Sequence, residues 1–474
     1  MFTWFFWLPG NPLQGNGCSR IFAASDLLNP TGTYHIKSMF APGLLFYFIQ
    51  GISAYLLSPI IAIKLLLTIY VFALIFGFWF ILNAYNRPKT SIFLVFPLIF
   101  NAAFCKGDLP IIVAIGLFPW VLWGLQTFMQ KTDKRHVILL SVLNLALFYA
   151  DFTVFIGALI LQIIRIAENK DRKQIKNWVL GLLPVLFLIL IWAMQGGLLP
   201  WWQAFQDPEW HFLQSWYAML GDCFRGYWDE WSIAVGGFAI LTALIGSKEG
   251  KETKMGTSVF ALLAFILMVP SGSNSPAVRM VIPVFLFLTV AVIPKNMKWP
   301  HLFTSLAATS ALLAMFGVNL GMTGWMNETR DFGAIQKAIR THSVVEEICY
   351  GKKSKSVTYP GWYDWDQCMA ATGHSVPTRI RKISGVEPVY VPRGNMNPTC
   401  ILVCKAKKSI KPIQPKHMVQ EAKSGNWILF QKQNPKNIKT KTIKPVIKRS
   451  RVPGFHRLNN KIFPAGRTLP RTLR

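Results

Sequence analysis

Six ionisable side chains stand inside or beside long apolar runs, where their types and positions could do chemistry. Lys106 and Asp108, two residues apart, lie in a short turn between two such runs, and Asp151 interrupts another. Asp26 and His35 lie in the stretch Ala24–Lys37, ahead of the first long apolar run, and Arg279 follows the turn Ser271–Pro276. Charge at membrane depth is costly to bury, so each of these groups is a functional candidate with a partner expected nearby. A carboxylate held close to lipid can act as a general base, or can hold a divalent metal ion on a donor phosphate, in a transfer from a lipid-linked donor. A guanidinium such as Arg279 can grip a phosphate through its fork of donors. Structural roles are open for the same residues: Lys106 and Asp108 can pair as a surface ion bridge, Asp151 can brace a helix hinge, and Arg279 can snorkel to the interface. Asp26, Asp108 and Asp151 are therefore the candidate catalytic residues. His35, Lys106 and Arg279 are candidates for substrate binding, and no set of residues is assigned to a metal.

Five tryptophans, Trp201, Trp202, Trp210, Trp216 and Trp228, crowd the segment Gly197–Glu230 among Asp207, Glu209, His211, Asp222 and Asp229. Such a segment fits an interfacial aromatic belt. It equally fits a sugar-facing surface, with Trp201 and Trp202 as substrate-binding residues, and the two roles are compatible. No phosphate loop, dinucleotide fingerprint, zincin, nucleophile elbow or kinase signature occurs anywhere in the chain.

The elements that must position these residues are membrane helices. The 474 residues are 52% hydrophobic and only 15% charged, with a mean hydropathy of +0.35, which excludes a soluble globular protein. A net charge of +29 ordinarily points to nucleic acid, but Ile401–Arg474 alone holds 19 Lys+Arg against the single acid Glu421. Basic residues held in one tail and in short loops fit membrane topology better, and no folded basic face suited to nucleic acid is visible. Stretches free of charge run over Ser38–Ile63, Leu65–Asn86, Leu109–Gln130, Asn177–Gln206, Met255–Val278, Met280–Pro294 and Trp299–Asn327. Shorter ones are Ser91–Cys105, Val137–Ala150, Phe152–Ile164 and Ser232–Ser247. Together they predict about nine to eleven membrane segments.

One set of connecting loops is basic: Arg87 and Lys89; Lys131, Lys134 and Arg135; Arg165–Lys176; Lys248–Lys254; Lys295 and Lys298. The other set is neutral or acidic. The positive-inside rule puts the first set in the cytoplasm and the hydrophilic part after about Thr323 outside. Val137–Ile164 fits either two short helices hinged near Asp151 or one tilted helix of roughly 40 Å. The run Ser38–Ile63 conflicts with the alternation, which predicts a partial, interfacial or upstream-truncated first helix. Met1–Pro9 is too short for the apolar core of a signal peptide.

The chain thus reads as a mainly α, polytopic helical membrane protein in four parts. Residues 1–40 are an N-terminal loop or interfacial segment, and 41–323 the transmembrane helical domain, including the aromatic outer loop 197–230. Residues 324–433 form a small extracytoplasmic α/β domain, and 434–474 a disordered basic tail. Strands are expected at Ser356–Tyr359, Thr399–Lys405 and Asn426–Gln431. Cys349, Cys368, Cys400 and Cys404 fall in that small domain; a Cys349–Cys368 disulfide is one pairing open to them, and their spacings match no common zinc site. The tail is either simply solvated or adheres to anionic lipid headgroups or an acidic polymer.

Four stretches carry a family resemblance: Ala41-Pro42-Gly43-Leu44-Leu45-Phe46-Tyr47; Phe100-Asn101-Ala102-Ala103-Phe104-Cys105-Lys106-Gly107; Leu147-Phe148-Tyr149-Ala150-Asp151; and Asn426-Trp427-Ile428-Leu429-Phe430. The chain resembles, over roughly Pro30–Gln431, a group of bacterial polytopic membrane proteins related to lipid-phosphosugar-dependent glycosyltransferases of the GT-C fold class. The resemblance implies a bacterial inner (plasma) membrane protein that moves a sugar from a polyprenyl-phosphate donor to an envelope glycan or lipid on the outer side. In that class an acidic catalytic residue follows the first helix, and Asp26 stands near that place; Asp151 occupies a position where the group carries His. The alternatives are an inactive relative, a transporter or flippase of lipid-linked cargo, and a non-catalytic anchor. No internal repeat favours the transporter.

Overall fold

In the computed structural model the chain falls into two units, Met1–Lys432 and Gln433–Arg474. Described below are residues 3–13, 17–28, 34–36, 38–169, 171–199, 224, 226, 228–247, 283–284, 286–287, 289–291, 293–332, 335, 338–339, 344–349, 354–357, 376–377, 386–388, 398–404, 418–424 and 427–432. The expected basic tail, Trp201, Trp202, Arg279 and Cys368 lie outside them.

Six segments among these residues are long and apolar enough to cross a membrane: Pro59–Ala84, Lys89–Lys106, Leu109–Gln130, Arg172–Met194, Trp228–Ile245 and Pro300–Thr329. Only 11% of the apolar 18-residue stretch within Arg172–Met194 is buried, and Leu180, Leu183, Phe187 and Leu190 stand exposed along it. An apolar surface of that extent needs lipid around it.

The first 40 residues contain more than a loop. Helix α1 (Gly17–Leu28) places Ile21, Phe22, Ala23 and Ala24 in the core, and a short strand β1 (Tyr34–Ile36) follows it. Helix α2 (Leu44–Leu56) has 13 residues, about 20 Å of helix, too short to cross a core about 30 Å thick. Helix α3 (Pro59–Ala84) starts where Ser58 caps Ile61 N and Pro59 takes the first turn. The uncharged runs predict a break at Lys64 instead. That lysine lies within α3, buried, its ammonium donating to Leu8 O at 2.9 Å, so a charge that looked like a loop marker is absorbed by the N-terminal segment.

Lys89–Lys106 is broken: a 3-10 turn (Lys89–Val95) leads to α4 (Phe96–Ile99) and α5 (Ala102–Lys106). Helix α6 (Leu109–Gln130) is mostly buried and packs on α3, on α7 (Lys134–Ala150) and on α8 (Phe152–Asn169). The α7–α8 pair is hinged. Asp151 is extended (φ −160°, ψ 127°), and Asn144 and Gln162 exchange side-chain hydrogen bonds of 2.7 and 3.2 Å across the hairpin. In one continuous helix those two residues would stand about 27 Å apart. Trp178 on α9 (Arg172–Met194) donates to Gln162 Oε1 at 3.0 Å, and α10 (Trp228–Ile245) packs along α11 (Pro300–Thr329).

The basic loops gather at one end of the bundle. Arg165 stacks over Tyr85, Gln174 donates to Met129 O, and Lys298 N bonds Gly246 O. At the opposite end lies a five-stranded sheet in the order β3-β2-β5-β7-β6, with β2 (Val344–Cys349), β3 (Val376–Pro377), β5 (Cys400–Cys404), β6 (Met418–Ser424) and β7 (Trp427–Lys432). The β2–β3 and β2–β5 pairs are parallel, and the other two antiparallel. Residues alternate between its faces. Cys400, Leu402, Trp427 and Leu429 join the core of the helices, while Ile401, Val403, Ile428 and Phe430 form a small cluster behind. The expected strand at Ser356–Tyr359 is represented by Val357, which makes one bridge to Phe224, and β2 and β6 were not anticipated. Strand β1 pairs antiparallel with β4 (Val386–Pro388), setting His35 opposite Glu387.

Candidate functional site

The second resembling stretch builds a turn whose purpose is visible in its bonds. Asn101 caps α5 by accepting from Ala103 N (2.9 Å) and Phe104 N (3.2 Å), while its amide donates to Leu98 O at 3.1 Å. Gly107, at φ +71°, closes α5 with the paired bonds Gly107 N to Phe104 O (3.1 Å) and Asp108 N to Ala103 O (2.8 Å). This left-handed cap favours glycine, and it turns the chain sharply into α6. Asp108 arrives at the start of α6, where an aspartate ordinarily accepts from its own helix. Here its side chain makes no capping bond.

The Asp108 carboxylate instead meets a residue from far away in sequence. Arg20 on α1 donates from one Nη to Asp108 Oδ1 at 2.9 Å and from the other to the Tyr47 hydroxyl at 2.9 Å. The side chain of Arg20 is 14% exposed and that of Asp108 26%, whereas Tyr47 is buried. Tyr47 ends the first resembling stretch, within which Gly43 at φ +87° precedes α2, so the two stretches meet on one arginine. Burial works against the charged form of Arg20, but Tyr47 and Asp108 outweigh it and hold the guanidinium above its ordinary pKa. Two of its five donors are committed, and Asp108 Oδ2 has no bond to any described residue.

The other candidates are placed differently. Asp26, six residues beyond Arg20 on α1 and buried, accepts from Tyr34 N at 2.6 Å, which ties α1 to β1. Asp151, also buried, caps α8: its Oδ1 accepts from Thr153 N (2.9 Å) and Val154 N (3.1 Å). Lys106 ends α5, half-buried, and pairs in no ion bridge with Asp108. Of His35 only the backbone pairing is described. Arg20 escaped the sequence reading, although one signal was there: it is the only Lys or Arg in the first 36 residues.

Among the described residues no three of His, Cys, Asp and Glu gather closely enough to hold a metal ion. At Arg20–Asp108 the only described carboxylate is already neutralised by a guanidinium, so that donor set does not fit a divalent cation. What the arrangement can do is accept a proton at Asp108 Oδ2 and offer the spare guanidinium donors to an anion.

Neither a protein family model nor a curated protein matches the chain. Among solved structures, the arabinofuranosyltransferase AftD from Mycobacteria is similar at a TM-score of 0.47 and 13% identity, over 79% of this chain and 32% of that one. The chain thus spans about a third of that protein's length, and a likeness at this level assigns neither fold nor activity.

Proposed function

We propose that the chain is a membrane-embedded glycosyltransferase-like protein that moves a sugar from a polyprenyl-phosphate donor to an envelope glycan or lipid at the outer face. The observation that carries the reading is the Arg20–Tyr47–Asp108 cluster, set at the end of the bundle opposite the basic loops, with one carboxylate oxygen and several guanidinium donors not bonded to any described residue. Asp108 takes the proton of the acceptor hydroxyl as that oxygen bonds to the anomeric carbon. The bond from that carbon to the donor phosphate breaks, and polyprenyl phosphate leaves with its charge balanced by Arg20. Tyr47 is a positioning residue that aims the guanidinium.

Two further features support the reading. Cys18, two residues from Arg20, is held in a disulfide, as expected on the oxidising side of a membrane. An apolar groove of about 180 Å³ between α2, α3 and α6, lined by Leu45, Ile49, Tyr70, Val113 and Leu117 among others, suits a prenyl chain. Val113 is five residues, about 7.5 Å, along α6 from Asp108.

The test is turnover by the purified protein in nanodiscs, offered a panel of polyprenyl-phosphate sugars with labelled sugar, reading free polyprenyl phosphate and labelled product. Release that disappears in Arg20→Ala supports the reading. Absence of turnover across the panel, or turnover unchanged in that variant, overturns it.

A further inference from the structure

Helix α9 presents two different sides. Gln174, Gly181, Val185 and Trp192 face the bundle and are buried, with Gly181 set so close to Val137 of α7 that an added methyl would stand 3.3 Å from its Cγ1. On the opposite side, Lys173, Lys176, Leu180, Leu183, Phe187 and Leu190 recur at spacings of three and four, which keeps them within an arc of about 100°. All six are exposed, Phe187 by 62% and Leu190 by 57%.

This stripe has the layout of a phospholipid. Lys173 and Lys176 stand in the first two turns, at the basic end of the bundle, and Leu180 to Leu190 then covers about 15 Å, the depth of one leaflet in a core about 30 Å thick. Among the described residues neither ammonium is paired with a carboxylate. The acids of the neighbouring elements are engaged elsewhere: Glu168 of α8 pairs with Arg165 at 3.0 Å, Asp133 caps α7 at His136 N, and Asp171 caps α9 itself at Lys173 N. Because Asp171 occupies the cap, the positive field comes from the lysines and not from a bare helix end. Gln174 donates to Met129 O at 3.0 Å, which brings the turn between α6 and α7, with Lys131, Lys134 and Arg135, alongside the first turns of α9 and adds to that field. Topology alone asks for a basic end. It does not ask for two unpaired cations in line with an exposed apolar stripe, and that combination fits one molecule with an anionic head and an apolar tail.

We propose that this side of α9 binds an anionic phospholipid of the leaflet on the basic side, with Lys173 and Lys176 on its phosphate and its acyl chains along Leu180, Leu183, Phe187 and Leu190. The surface shares no residue with the Arg20 cluster, and its occupation is independent of the transfer reaction proposed above.

Native mass spectrometry of the full chain in detergent, titrated with phosphatidylglycerol or with phosphatidylcholine of the same chain length, gives the affinity for the first lipid bound. At about fivefold for each lysine, the wild type should prefer phosphatidylglycerol by about 25-fold, Lys173→Ala or Lys176→Ala by about fivefold, and the double alanine variant hardly at all. Lys173→Arg combined with Lys176→Arg should keep the preference, which shows that a loss reflects charge and not misfolding. Lys298→Ala, on a different segment of the same basic end, should keep it too. Equal affinity for the two lipids in the wild type, or a preference kept by the double alanine variant or lost as fully in Lys298→Ala, overturns the proposal. So does a dimer that takes up no lipid, which would assign this side of α9 to a second copy of the chain.

Discussion

Among the described residues four aspartates begin helices, and one of them behaves unlike the rest. Asp133, Asp151 and Asp171 each turn a carboxylate oxygen back onto the first turn of the following helix, accepting from His136 N, from Thr153 N and Val154 N, and from Lys173 N. Asp108 holds the same position at α6 and makes no such bond. The difference is supplied from outside the local sequence. Gly107 turns the chain abruptly into α6, and Arg20, 88 residues earlier, offers a guanidinium that competes successfully with the helix amides. A charge-assisted bond is stronger than a neutral capping bond, which decides the competition. The comparison teaches that a carboxylate at a helix start is structural by default, and becomes available for chemistry where a distant cation draws it away from its own backbone.

The largest effect that would sharpen this contrast concerns activity. Asp108→Asn keeps the size of the side chain and removes the base, so sugar transfer should fall by about 10²- to 10⁴-fold with the helix signal unchanged. Asp151→Ala should act on stability instead, lowering it by about 1 kcal/mol through the lost cap, read as a lower unfolding temperature, while Asp151→Asn, which still caps, should cost little. Gly107→Ala tests how Asp108 is aimed. A Cβ at φ +71° is strained, so about 1 kcal/mol of stability should be lost. Transfer should fall further than that loss explains. If Gly107→Ala left both stability and transfer intact, the turn would not be what directs Asp108.

The smallest effect tests the default role itself. Asp133 is exposed, and the His136 backbone amide, its principal partner, holds the carboxyl below its ordinary value, assisted by the His136 ring. Because the folded pKa is depressed, its contribution is complete above the unfolded value near 3.8 and is lost as pH falls through the folded one. Amide exchange in the first turn of α7, corrected for its intrinsic pH dependence, should therefore be flat from pH 7 to 5 and accelerate only below about pH 4.

Much of the helical framework is readable from charge-free runs. The run Leu109–Gln130 is the range of α6, and the hinge at Asp151 is one of the two arrangements that a single acid between two apolar stretches leaves open. Lys64 misleads because its ammonium reaches the Leu8 carbonyl, a contact 56 residues apart that local composition cannot show. Helix α1 is obscured for a related reason: its sequence is only moderately apolar, and its buried residues are covered by neighbouring helices. The site was half legible. Asp108 could be singled out as a carboxylate at a membrane boundary and Tyr47 lay in a resembling stretch, but the arginine that joins them belongs to a segment that reads as loop. Pairings across 88 residues are set by packing, and spacing rules are silent about them.

The central claim is that Asp108 is the working carboxylate and Asp151 a helix cap. The most direct measurement compares Asp108→Asn and Asp151→Asn side by side in nanodiscs, recording polyprenyl phosphate released from the labelled donor together with the unfolding temperature. The account predicts that Asp108→Asn loses transfer while unfolding near the wild-type temperature, and that Asp151→Asn matches the wild type in both. Transfer retained by Asp108→Asn and lost in a stably folded Asp151→Asn would contradict it.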